Sequence, residues 1–246
     1  MNPSLPSITP YPGQSGTKKE QVSDMFDAIS ERYDLLNRVL SLGIDIQWRK
    51  CVLKRLRPHA PQRILDVATG TGDLAIGLLQ LNPKEVVGLD LSPGMLAQAG
   101  HKIKRKGLTA RIQLIEGDSE ELPFAQDYFD AVTVAFGVRN FEHLEQGLSE
   151  MARVLKKGGV VAILEFSRSR VPLVAPIFQL YFQYILPTLG RWVSRDASAY
   201  TYLPASVAAF PEGEEFLRIL QKSGFCETRQ ERLTFGICTL YTARKQ

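Results

Sequence analysis

Asp66, Gly70, Thr71, Gly72 and Asp73 stand in the stretch DVATGTGD, which completes a short apolar run at 64–67 and precedes a helical pattern over 74–81. Small residues at a strand-to-helix turn let a ligand approach the backbone and the helix N-terminus, so a nucleotide-like cofactor is expected there. Gly70, Gly72 and Ala75 satisfy the G-x-G-x-x-A spacing of dinucleotide sites, and the glycines alone leave a nicotinamide or flavin cofactor open beside S-adenosylmethionine (SAM). Charge separates them. A dinucleotide places a pyrophosphate at this turn, where Asp66 and Asp73 repel it, whereas SAM brings an ammonium and a sulfonium and carries no phosphate.

Two more carboxylates extend the pattern. Asp90 ends the apolar run VVGLD, where an acidic residue commonly accepts from ribose hydroxyls, and Asp118 follows the run at 112–115. Asp118 is placed to accept from an adenine amine while the Ser119 backbone meets a ring nitrogen. Taken singly, each aspartate is as well read as a helix cap or loop residue. Three at successive strand ends fall where open parallel sheets bind ligands, which favours SAM.

The elements behind these residues follow from periodicity. Apolar residues Val22, Met25, Phe26, Ile29, Tyr33 and Leu36 recur at three and four, the stripe of an amphipathic helix. Gly43 interrupts the helical preface, and a second helix over 46–56 ends before Pro58. Strands are expected at 64–67, 85–89, 112–115, 131–135 and 160–166, each separated by a helix-length segment, the alternation of a parallel sheet. The runs 225–233 and 236–242 read as an antiparallel hairpin at one sheet edge. Residues 1–16, with Pro3, Pro6, Pro10 and Pro12, read as a disordered tail, and 17–246 as one domain with a helical addition over 17–60.

Forty-four per cent hydrophobic residues suffice for a full core, and a net charge of +4 is too small for a nucleic-acid footprint. Cys51, Cys226 and Cys238 lack metal or disulfide spacing, which fits a reducing cytosol and no metal site. Residues 171–190 carry no charge and approach the roughly 20 residues that span a bilayer. Pro172, Pro176 and Pro187 argue against a span. The alternatives left are an apolar lid over about 168–205, touching anionic headgroups through Arg168, Arg170, Arg191 and Arg195, or a buried or homodimer-contact helix. The localisation expected is cytoplasmic, with peripheral contact to a membrane through that lid.

At these residues the chain resembles the class I SAM-dependent methyltransferases, and it is similar to the family that C-methylates the ring of prenylated quinols in ubiquinone, menaquinone and phylloquinone synthesis. The resemblance rests on YDLLN at 33–37 with Ser41 and Trp48, on FGVRN at 136–140, and on RVLKKGG at 153–159 ending in Glu165, Phe166 and Ser167. Asp45 stands where that family usually has histidine, and Lys157 where it has proline or valine. The segment 202–213 looks closest to the cyanobacterial and plastid branch. The resemblance implies an α/β Rossmann-like fold, a mostly parallel seven-stranded sheet with helices on both faces and an antiparallel C-terminal edge hairpin. It also implies C-methylation of a phytyl naphthoquinol, demethylphylloquinol, with demethylmenaquinol or a ubiquinone precursor as the alternative.

Arg139 and Asn140 follow the fourth strand, where a guanidinium can stabilise a developing naphtholate and an amide can orient a hydroxyl or water. The residues themselves equally allow a salt bridge and a helix cap; the resemblance favours catalysis. Arginine is a poor base, so proton removal is expected through a water held by this pair. Tyr33, Phe178, Tyr181, Phe182 and Tyr200 or Tyr202 are expected to line the quinol pocket, although aromatics more often serve the core. A nicotinamide oxidoreductase and a non-catalytic SAM-binding scaffold are the readings from other classes.

Overall fold

The computed structural model describes residues 8–169, 171, 172, 176, 180 and 198–246. Its sheet has seven strands in the order β3-β2-β1-β4-β5-β7-β6: β1 Arg63–Val67, β2 Glu85–Asp90, β3 Ile112–Glu116, β4 Phe129–Ala135, β5 Leu155–Phe166, β6 Phe225–Leu233 and β7 Cys238–Lys245. The first five pair in parallel, and β7 runs antiparallel to both β5 and β6. This is the expected α/β architecture with β6 at the edge.

Parallel strands covered on both faces read as near-continuous apolar runs, and β1 is such a strand. Its Leu65 and Val67 join one core with Met151, Phe216 and Tyr241, while Ile64 points into the opposite core with Val52, Leu74 and Leu78. Helices α6, Leu144–Val154, and α8, Glu214–Lys222, supply the first layer; α3, Ile44–Leu56, and α4, Asp73–Leu78, supply the second. A further cluster joins the helical preface to the body. Val22, Met25 and Ile29 of α1, Lys18–Ile29, pack with Leu36 of α2, Tyr33–Leu40. Met95 of α5, Pro93–Arg105, and Tyr202 of α7, Ser198–Ala209, complete it.

The preface begins where a Thr17/Glu20 capping box satisfies the first amides of α1. It breaks at Gly43, whose φ of 76° lies in the left-handed region, as the sequence predicts. Within the segment expected to be a disordered tail, Ile8 and Tyr11 pack on the α1 cluster and the Tyr11 amide donates to Gln21 Oε1 at 3.0 Å. Strand β5 starts at Leu155, earlier than the expected 160, because a register shift opposite Phe129/Ala131 carries the Lys156–Gly159 turn within the strand. Gly236 belongs to a 3₁₀ turn, and β7 starts at Cys238. Of the expected lid, Phe178, Tyr181 and Phe182 lie outside the described residues, as do Arg170, Arg191 and Arg195. No helix among the described residues is long and apolar enough to cross a membrane.

The entry to α6 is tied by a residue from elsewhere in the chain. Glu120 is 3% exposed, and its Oε1 accepts from the amides of Glu142 at 2.8 Å and His143 at 2.9 Å. Asn140 does not cap this helix. Replacing Glu120 by alanine leaves two amides without a buried acceptor, and is expected to cost about 1–3 kcal/mol in chemical denaturation.

Candidate active site

Asp66, Asp90, Asp118, Arg139, Asn140 and Glu165 sit at or just beyond the C-terminal ends of the parallel strands. Asp66 in β1 is 1% exposed, and the β1–β4 register places it opposite Thr133. Thr133 Oγ1 donates to Asp66 Oδ1 at 2.7 Å and Thr69 Oγ1 to Oδ2 at 2.7 Å. Burial outweighs both bonds and pushes the Asp66 carboxyl up to about 6. At the end of β2, Asp90 Oδ2 accepts from the Gly70 amide at 2.7 Å and Oδ1 from Ser92 at 2.9 Å. Desolvation also raises this carboxyl, with Asp27 adding to the effect against the backbone bonds. Neither aspartate has an ion-pair partner within 4.0 Å among the described residues.

The glycine turn is shaped for close approach. Ala68 and Gly70 both adopt positive φ, 52° and 55°, and a Cβ placed on Gly70 meets nothing within 4 Å. Thr71 is 3% exposed and its hydroxyl donates to Asp34 Oδ1 at 2.5 Å. Gly72 holds φ 78° at the start of α4, where a Cβ would stand 3.3 Å from that of Ala99.

One expectation is corrected here. Asp73 is not a free carboxylate awaiting an ammonium: Lys102 Nζ lies at 2.6 Å, Arg49 Nη2 at 3.2 Å and Arg38 Nη2 at 3.3 Å, and these cations hold its pKa below the usual value against desolvation. The negative field facing the turn therefore comes from Asp66 and Asp90. Asp45, in the position usually histidine, accepts from Ser41 Oγ at 2.7 Å and pairs with Arg49 at 2.8 Å, so it belongs to the same network.

Two adjoining cavities meet at these residues. The smaller, about 90 Å³, is lined by Asp90, Asp118, Ser119 and Asn140 and roofed by Lys19, Val22 and Phe26 of α1. Lys19 Nζ pairs with Asp118 Oδ2 and stands 3.1 Å from Glu120. The larger, about 540 Å³ and mostly apolar, is lined by Asp66, Thr71, Trp48, Arg139, Phe166 and Tyr202 among others. Phe26, Tyr33, Ala68, Gly70, Ala135 and Phe136 border both. Trp48, Phe136 and Phe166 form an aromatic cluster, with centroids 5.9, 6.0 and 4.6 Å apart, and Trp48 Nε1 donates to Thr234 Oγ1 at 2.8 Å.

Arg139 and Asn140 lie in a 3₁₀ turn after β4. Phe136, held at φ 61°, turns its carbonyl toward both: it accepts from Arg139 Nη1, and from Asn140 Nδ2 at 3.5 Å. Arg139 Nη1 also pairs with Glu165 Oε1 at 3.0 Å. Arg139 Nε, Asn140 Oδ1 and the Tyr202 hydroxyl are buried without a hydrogen-bond partner among the described residues. Burial drives the Tyr202 phenol up to about 12, with Arg139 and Glu165 as its charged neighbours. Lys18 Nζ closes this corner from α1, donating to the Arg139 carbonyl at 3.1 Å and the Phe141 carbonyl at 2.7 Å.

The two cavities thus bring together Asp66, Gly70, Thr71, Asp90, Asp118, Ser119, Arg139, Asn140, Tyr33 and Tyr202, whereas Gly72 lines neither and faces Ala99. Glu165 and the Trp48–Phe136–Phe166 cluster were not given site roles from the sequence, although they stand in the motifs already quoted. The residues fit SAM: buried Asp66 and half-buried Asp90 without ion-pair partners among the described residues, an open Gly70 face and an Asn140 oxygen without a hydrogen-bond partner among them suit a cationic nucleoside better than a pyrophosphate.

The ubiE/COQ5 methyltransferase family matches residues 14–245. The chain belongs to that family. It is 49% identical over 247 residues to the demethylmenaquinone methyltransferase of Bacteroides fragilis, covering all of both chains. To the ubiquinone/menaquinone biosynthesis C-methyltransferase UbiE of Geobacter sulfurreducens it is 46% identical, covering 93% of this chain and 90% of that one. In fold it is similar to a SAM-dependent methyltransferase of Thermotoga maritima described as a possible histamine N-methyltransferase (TM-score 0.62, 19% identity, 91% and 99% covered). It is also similar to the [4+2]-cyclase SpnF (0.67, 17%, 94% and 97%). The protein is a SAM-dependent methyltransferase.

The Asp66 carboxyl gives this site a pH signature. A raised carboxyl in the folded state binds its proton more tightly than the same group in the unfolded chain, so its stabilisation is complete below the unfolded pKa near 4 and is lost as pH rises through about 6. Denaturation of the ligand-free protein between pH 4 and 7.5 is expected to show this group contributing a loss of about 3 kcal/mol. Asp66→Asn should remove that component.

Proposed function

We propose that this methyltransferase C-methylates the ring of a prenylated naphthoquinol, with demethylmenaquinol as its substrate. The observation that carries the reading is the aromatic, mostly apolar cavity joined to the acidic cofactor turn, with Arg139 in its wall and Phe136, whose carbonyl Arg139 binds, bordering both cavities. The relatives at 46–49% identity are named for demethylmenaquinone and ubiquinone/menaquinone methylation, which favours the menaquinone branch over the phytyl branch expected from segment 202–213.

SAM supplies a methyl group on a sulfonium. On our reading Asp66 and the Gly70–Gly72 backbone hold its amino-acid end, Asp90 accepts from the ribose, and Asp118 with the Ser119 amide meets the adenine. The pairing of Asp118 with Lys19 means that α1 must adjust as the adenine seats. Trp48, Phe136 and Phe166 give flat walls against which a bicyclic ring stacks. Arg139, in the wall of the larger cavity, faces the hydroxyl beside the methylated carbon, and Asn140 approaches it from the cofactor side: loss of its proton raises electron density at that carbon, and the guanidinium stabilises the anion. A water held between Arg139 and Asn140 carries the proton away. Tyr33 and Tyr202 close the ring site, and Tyr202 offers its unpartnered hydroxyl to the quinol oxygens. A hydrophobic tail leaves through the mouth of the larger cavity, beside Leu42 and Phe235, which are 86% and 68% exposed, and we take peripheral contact with a membrane surface as part of the proposal.

Incubation with labelled SAM and reduced demethylnaphthoquinols or benzoquinols bearing polyprenyl or phytyl tails is expected to label the polyprenyl naphthoquinol best. Label confined to a benzoquinol, or absent from all, contradicts the proposal. Arg139→Ala is expected to lower kcat by about 10²–10³-fold while the Kd for SAM stays within about threefold.

A further inference from the structure

Glu165 is fully buried at the end of β5, and none of its atoms lines the larger cavity. Its Oε1 accepts from Arg139 Nη1 at 3.0 Å and from the Phe166 amide at 2.9 Å; its Oε2 accepts from the Arg139 amide at 3.4 Å. Arg139 therefore has its backbone and its side chain both anchored to one carboxylate. Phe166, the next residue, lies under the guanidinium with its ring centroid 5.7 Å away. Enclosing such a pair costs several kcal/mol of desolvation, and an apolar pair of the same volume often packs as well. What the pair supplies beyond packing is a fixed guanidinium with a counter-charge on its far side.

We infer that Glu165 is a positioning residue for methyl transfer, acting through Arg139. This deepens the quinol reading and rests on it for the identity of the anion. Glu165 occupies the Nη1 corner on the strand side, which leaves the Nη2 edge for the ring hydroxyl. Its negative charge opposes the field that Arg139 presents to the cavity. The ionised quinol is consequently a second anion on a guanidinium that already has one, so the pair sets the acidity of the bound hydroxyl instead of driving its ionisation without limit. Removing the charge while keeping an oxygen on Nη1 must then make the bound hydroxyl more acidic, a direction that a merely structural glutamate would not produce.

The test uses an alkyl-substituted 1-naphthol, whose ionisation is read by absorbance and needs no turnover, bound to the full-length protein with S-adenosylhomocysteine present. Glu165→Gln retains an oxygen for Nη1 and is expected to make the bound naphthol about tenfold more acidic than in the wild type, whereas Arg139→Met makes it less acidic. Equal ionisation in wild type and Glu165→Gln overturns the inference. Should Glu165→Gln fail to fold, Glu165→Asp keeps the charge and withdraws it by one methylene. That variant is expected to lose at least tenfold in kcat with the quinol KM and the SAM Kd nearly unchanged, and an unaltered kcat overturns the inference. Wild-type protein that binds and ionises the naphthol but methylates no quinol sinks the substrate assignment and leaves the Glu165 result to be judged on ionisation alone.

Discussion

One buried and one half-buried carboxylate at the ends of neighbouring parallel strands, with no ion-pair partner within 4.0 Å among the described residues, are the constraint on which the site depends. Burying an anion without a counter-ion is costly, and the protein's response is visible in the raised protonation constants of Asp66 and Asp90. Hydroxyls and backbone amides partly offset that cost. A ligand carrying positive charge recovers the remainder, which is why the turn suits an ammonium and a sulfonium and disfavours a pyrophosphate.

The fold exists in the form it does partly to maintain that arrangement. Parallel pairing aligns the strand ends, and the register that sets Asp66 opposite Thr133 supplies one of the bonds to the buried oxygen. Backbone at positive φ accumulates just past β1 and β4, at Ala68 and Phe136, and the two loops pass so close that a Cβ on Gly137 would stand 2.6 Å from the Ala68 methyl. Strain of this kind persists only where surrounding packing enforces it. The helical preface completes the enclosure: Lys18 grips the carbonyls after β4, and Asp27 accepts from the Gly94 amide at 2.8 Å at the entry to α5.

Much of this was legible in the sequence because it is local. Short apolar runs, one at 64–67 around Asp66 and one at 86–89 ahead of Asp90, mark buried parallel strands, Gly43 marks the helix break, and the C-terminal hairpin follows from two neighbouring strand-like runs. The quinol-methyltransferase motifs narrowed the site to a few positions. What stayed hidden depends on partners far apart in the chain. Asp73 looked like a free acid until Arg38, Arg49 and Lys102 were brought to it from three helices. Glu165 looked like the tail of a strand signature, yet it anchors an arginine 26 residues earlier. Glu120 holds the two amides just ahead of a helix that Asn140 seemed equally able to cap. In each case the pairing follows from how the preface and the crossover connections pack on the sheet, which no local pattern encodes.

The central claim is that charge, not the glycine spacing, selects the ligand at this turn. Equilibrium titration of the purified protein with SAM and, separately, with NADH at pH 7.5 addresses it most directly. The account predicts saturable binding of SAM that weakens as the Asp66 carboxyl takes up its proton toward pH 5, and no saturable binding of NADH. Tight NADH binding that SAM fails to displace would contradict it.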